Sequence, residues 1–152
     1  MAHSARFRAI SANGILMTAR KSIYIPGFKH VNPIPNACRL GDLLMSGIIL
    51  GIDPATGDVA PTLEEQCAHL FAHVRTIVEA AGGDTGDIIK MNVWLKDRSQ
   101  RQAVNDEWLK MFPDPQTRPA RHALPLNVDG PSLVQCDFIA VFAPTSAITP
   151  QA

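Results

Sequence analysis

The sequence predicts an α+β domain in which two helices pack on one face of a mixed β-sheet. Three observations carry that expectation. An apolar stripe at helical spacing runs from Cys67 to Ala81, with a start signal before it and a stop signal after it. Two segments, Ile88 to Lys96 and Leu133 to Phe142, alternate apolar and polar residues with the period of a half-buried strand. The run Leu43 to Leu50 is apolar on both faces, as in a strand covered on both sides by helices or by another subunit.

Each element has its own local reason. Ser22 to Ile25 reads as a short strand stopped by Pro26-Gly27. The prolines of Asn32-Pro33-Ile34-Pro35-Asn36 force an extended, poorly paired connection. Ala37 to Leu40 and Leu43 to Leu50 form two strands joined across the turn Gly41-Asp42. Asp53 to Asp58 is a polar, turn-rich loop. Thr62-Leu63-Glu64-Glu65 opens the first helix as a capping box, and Cys67, Leu70, Phe71, Val74, Ile77, Val78 and Ala81 share one face. Gly82-Gly83 ends it. Ile88 to Lys96 is a strand that alternates through Ile89, Met91, Val93 and Leu95. Ser99 is placed to cap a second helix carrying Val104, Trp108, Leu109, Met111 and Phe112, which stops before Pro113. Arg121 to Leu124 and Leu133 to Phe142 complete the strands. The domain organisation expected is an N-terminal extension over residues 1–21, one folded domain over 22–143 and a disordered tail over 144–152.

Bulk composition narrows the function. The chain has 152 residues, enough for one core. Lys plus Arg is 14 and Asp plus Glu is 14, so no basic excess exists to form a nucleic-acid footprint. The same balance removes self-repulsion and makes self-association easy. Cys38, Cys67 and Cys136 are odd in number and include no CxxC pair, which argues for reduced thiols in a cytoplasmic setting. No stretch approaches the ~20 apolar residues of a membrane span.

Arg121 is the most informative single residue. It stands in Thr117-Arg118-Pro119-Ala120-Arg121-His122-Ala123-Leu124-Pro125, an extended and partly apolar setting. A guanidinium held there needs an anion, and its planar fork suits a carboxylate or phosphate. That anion is either a structural carboxylate of the chain or a ligand. His69 and His73 have the four-residue spacing of a metal pair, but no third ligand is evident, and they read as an exposed helix face with no metal. Cys136 reads as an inert buried thiol, and Trp94 and Trp108 as core or interface residues. Gly41, Gly47 and Gly51 form no phosphate loop.

Taken in order, several stretches resemble the RidA/YjgF family of reactive-intermediate imine deaminases, also labelled endoribonuclease L-PSP, over roughly residues 22–142. They are Gly41-Asp42-Leu43-Leu44-Met45-Ser46-Gly47, Glu65-Gln66-Cys67, and Ile77-Val78-Glu79-Ala80-Ala81-Gly82. Asp87 to Asp97, Val104-Asn105, Arg118-Pro119-Ala120-Arg121 and Val134 to Val141 follow. The resemblance implies a chorismate mutase-like fold, a homotrimer with a barrel-like core, and ligand sites between adjacent subunits. It implies hydrolysis of enamines and imines of 2-oxo acids, such as 2-aminoacrylate, without metal or organic cofactor. Arg121 would bind the substrate carboxylate. Backbone at His122 and Ala123 would position the reactants, and Ser46 and Asn105 would line or support the pocket.

The chain departs from the family pattern at four positions. Gln135 stands where a glutamate helps place water; its amide can hydrogen-bond and assist that water but cannot act as a base near neutral pH. His122 and Ala123 replace a small residue and a cysteine, and Ile34 stands where a tyrosine is usual. A 2-aminomuconate deaminase-like enzyme of a ring-cleavage pathway is therefore one alternative. A non-catalytic trimeric small-acid-binding or chaperone-like module is another. The endoribonuclease reading is weakest, given the neutral charge. The expected partners are further copies of the chain and a small carboxylate-bearing substrate, with neither nucleic acid nor membrane.

Overall fold

The computed structural model describes residues 19–143, so the expected extension and tail lie almost wholly outside the described residues. Seven strands form one sheet: β1 (Lys21–Ile23), β2 (Ala37–Leu40), β3 (Leu43–Ser46), β4 (Ile49–Leu50), β5 (Ile88–Leu95), β6 (Ala120–Pro125) and β7 (Val134–Val141). Two helices, α1 (Leu63–Ala80) and α2 (Gln102–Met111), cover one face. The strand order is β1-β2-β3-β7-β5-β6, with β4 also paired to β7. Among the described residues only β5 and β6 run parallel, with α2 in the crossover, and β6 ends the sheet. The mixed α+β architecture is the one expected.

Helix α1 begins and ends where its sequence dictates. Thr62 Oγ1 accepts from the Glu65 amide while the Glu65 carboxylate accepts from the Thr62 amide, completing the capping box. At the other end Gly82 takes φ +93. The Gly82 and Gly83 amides then reach the carbonyls of Glu79 and Val78, which is a Schellman termination. Arg39 of β2 adds a 2.6 Å bond to the Ala81 carbonyl and lies over the Phe142 ring. The buried side of α1 packs on Val134, Cys136, Phe138 and Ala140, which alternate down β7.

Four expectations need correction. The apolar run 43–50 is not one strand. It breaks at Gly47-Ile48, and the Ser46 hydroxyl accepts from the Phe138 amide at 2.8 Å, bridging the gap between β3 and β4. The register of β5 shifts between Ile88 and Lys90, so Ile88 is buried while Ile89 is 52% exposed. Ser99 does not cap α2. It sits in a short 3-10 turn over Arg98–Gln100 that Asp97 caps, and α2 starts after Arg101 without a side-chain cap. His73, expected on an exposed face, is buried against Phe28 and bonds through Nε2 to the Ile52 carbonyl at 2.6 Å.

The sheet's second face is left open by this single chain. Leu40 pairs with Leu43, Leu43 with Val141 and Met45 with Ile139, forming a continuous apolar patch. Leu40, Leu43, Met45 and Val141 are each 42–50% exposed.

Candidate functional site

Edge strand β6 holds the candidate residues because its loop is tied down first. Arg118 donates to the carbonyls of Phe112 and Pro113, closing the end of α2 onto the approach to β6. The chain then enters the sheet with Arg121 opposite Met91 and His122 opposite Asn92. Met91 is fully buried on the helix face, so Arg121 faces that side and His122 the other.

Arg121 lies against α2. Its Nη2 donates to Asn105 Oδ1 at 2.7 Å, and its guanidinium carbon sits 4.7 Å from the centre of the Trp108 ring. Nη1 is buried and has no hydrogen-bond partner. Among the described residues no carboxylate lies within ion-pair distance of Arg121. Burial pulls its pKa below the ordinary arginine value, yet a guanidinium stays protonated in a protein. The internal salt bridge that the sequence allowed is therefore absent among the described residues. A cation with a dry, unpaired N–H remains, the setting in which an incoming carboxylate gains most.

The other expected residues divide between places. Ala123 shares the facing of Arg121, opposite Val93. His122 and Gln135 lie on the open face instead. His122 is beside Asn92, whose amide donates to Asp137 at 2.8 Å, and Gln135 is opposite Trp94, donating weakly to Ser132. Within one chain, then, Arg121 and Asn105 meet while Gln135 and His122 stand across the sheet from them. Ser46 has its hydroxyl on the Phe138 amide, and Ile34 is exposed in the proline-rich connection.

Two features escaped sequence reasoning. One is Trp108 as the ring beneath Arg121. The signal was present, since Asn105 and Trp108 are three apart and share a face of any helix. The other is a cavity of about 270 Å³ bounded by Phe28, His30, Asn36, Ile48, Leu50 and Ile52. His30 Nε2 is buried without a partner, and no local pattern announced it. Neither buried thiol is primed as a nucleophile: burial, then nearby acidic groups, pushes Cys67 up to about 12, and burial raises Cys136 well above its ordinary value. Among the described residues, no three His, Cys, Asp or Glu side chains cluster as metal ligands, and no helix is long and apolar enough to cross a membrane.

The model of the endoribonuclease L-PSP family matches residues 29–129, most of the described domain. The chain belongs to this family, the RidA/YjgF proteins. A RutC family protein of Pyrococcus horikoshii is 29% identical over 100 residues, covering 65% of this chain and 78% of that one. The 2-iminobutanoate/2-iminopropanoate deaminase of Salmonella typhimurium is 34% identical over 92 residues, covering 60% and 72%. Among solved structures, RidA from an Antarctic Psychrobacter superposes with a TM-score of 0.74 at 26% identity, covering 80% of this chain and 99% of that one. The mixed sheet and helix pair are thus the fold of RidA/YjgF proteins, and the Arg121 strand lies within the family match.

Proposed function

We propose that the protein is a cofactor-free enamine/imine deaminase of the cytoplasm that hydrolyses reactive 2-imino acids to 2-oxo acids and ammonia. The observation that carries this reading is the unpartnered, buried Nη1 of Arg121 beside an Asn105-anchored Nη2. Deaminase names among the relatives support the reaction class. Arg121 receives the substrate carboxylate and holds the imine carbon near the backbone of His122 and Ala123. Water adds to that carbon, giving a carbinolamine, and loss of the C–N bond releases ammonia and leaves the carbonyl. An enamine such as 2-aminoacrylate first takes a proton on carbon to become the imine.

The site is proposed to lie between subunits of a homotrimer. Gln135 and His122 face away from Arg121 within one chain, so a second copy is the source of a water-placing amide near the carboxylate. The apolar patch of Leu40, Leu43, Met45 and Val141 supports such packing, because an exposed patch of this kind marks an association surface. The free state of Cys38, Cys67 and Cys136 supports a reducing compartment.

Gln135 favours a second reading, a trimeric small-acid-binding module that keeps the anion anchor but lacks turnover. A coupled assay separates the two. A pyridoxal-phosphate dehydratase generates the imine, and its decay is followed with the wild type, Arg121→Ala and Gln135→Glu. Faster decay with the wild type, lost in Arg121→Ala, is expected. No acceleration of any amino-acid-derived imine would sink the deaminase reading. Full activity in Arg121→Ala would remove Arg121 from the mechanism.

A further inference from the structure

We propose that Trp108 is a positioning residue for carboxylate binding, acting on the ligand only through Arg121. This rests on reading Arg121 as an anion anchor. Arg121 is carried by an edge strand, and a long side chain there would otherwise sample many rotamers. Helix α2 restricts it from two directions at once. Asn105 Oδ1 takes Nη2 at 2.7 Å, and the Trp108 ring, one helical turn on, lies 4.7 Å from the guanidinium carbon. Trp108 is itself held by the core: it is 7% exposed and packs at 4.7 Å against the Phe112 ring.

The chemistry of the two supports matters as much as their placement. An amide oxygen and an aromatic face both attract a cation, yet neither neutralises it. A carboxylate in either position would compete with the ligand for the same fork. The indole also occupies one side of the guanidinium, and Nη1, buried and without a partner, is the donor left unpaired for a small carboxylate. Trp108 thus keeps the charge aimed and unspent without touching the substrate.

Trp108 and Trp94 are the chain's two tryptophans, so a Trp94→Phe protein reports on Trp108 alone. Propanoate is titrated into that protein and emission is followed, with propanamide as the neutral control, while calorimetry measures propanoate binding independently. A saturable emission change with propanoate and none with propanamide is expected. By calorimetry, Trp108→Leu should bind propanoate about tenfold more weakly, and Trp108→Phe should lie within about threefold of the parent. Circular dichroism establishes that each variant is folded.

A folded Trp108→Leu protein with parental affinity overturns the proposal. So does a silent emission titration in which calorimetry detects binding, and that outcome decides the matter even where Trp108→Leu does not fold. No propanoate binding by the parent overturns this inference together with the anion reading of Arg121. Intact binding without imine turnover overturns the deaminase function alone.

Discussion

At the residue scale, charge alone is not what Arg121 offers. Arg121→Lys keeps the cation but loses the planar fork and its match to the Asn105 amide. A loss in kcat/KM of about a hundredfold is expected, with most of it in binding, checked by steady-state kinetics on a dehydratase-generated imine. Gln135→Glu should act in the opposite sense and raise kcat, since a carboxylate can accept the proton of an attacking water; unchanged kcat would exclude that role. His73 makes a different prediction, about stability. Burial, with His69 adding to it, lowers its pKa from 6.5, against the raising effect of the Ile52 carbonyl. The folded chain therefore binds its proton less readily than the unfolded chain. The stabilisation from neutral His73 is complete above the ordinary histidine range and declines as pH falls through about 6.5. The thermal midpoint should fall between pH 8 and pH 5.5, and His73→Phe should flatten that dependence.

At the scale of elements, α1 is seated on β4 with almost no clearance. A Cβ built on Gly51 would lie 2.4 Å from the Gln66 Cα, a backbone contact that cannot give way cheaply. Gln66 is fully buried there, donating to the carbonyls of Ala60 and Pro131 and accepting from the Leu133 amide. Gln66→Leu strands three backbone groups and should cost about 3 kcal/mol in chemical denaturation, and Gly51→Ala should cost a comparable amount. The same elements explain what could be read in advance. The ends of α1 were legible because a capping box and a Gly-Gly termination are local chemistry. The split at Gly47-Ile48, the bulge at Ile89 and the Asp97 cap were not, because each answers to a partner distant in sequence or to competition among neighbouring caps. The cation of the candidate site was legible in Arg121. Its indole support was not, since that depends on how α2 lies against β6.

At the scale of the whole molecule, the open face of the sheet is the surface through which the proposed trimer would associate. Met45 lies at the middle of its apolar patch, between Cys38 and Ile139 in the sheet. Met45→Lys should convert the proposed trimer to monomers without unfolding the domain, as sedimentation together with circular dichroism would reveal. Imine turnover should fall with it, while propanoate binding at the Arg121 side should be weakened much less. That separation follows from β6, where successive residues turn to opposite sides of one strand. Substitutions at 121 and 123 are answerable to α2, and substitutions at 122 and 124 to whatever covers the sheet. On the proposed deaminase reading, selection can therefore alter what is transformed while preserving what is gripped, so long as the strand neither gains nor loses a residue. A single insertion just before Ala120 would exchange the two sets and abolish both properties together.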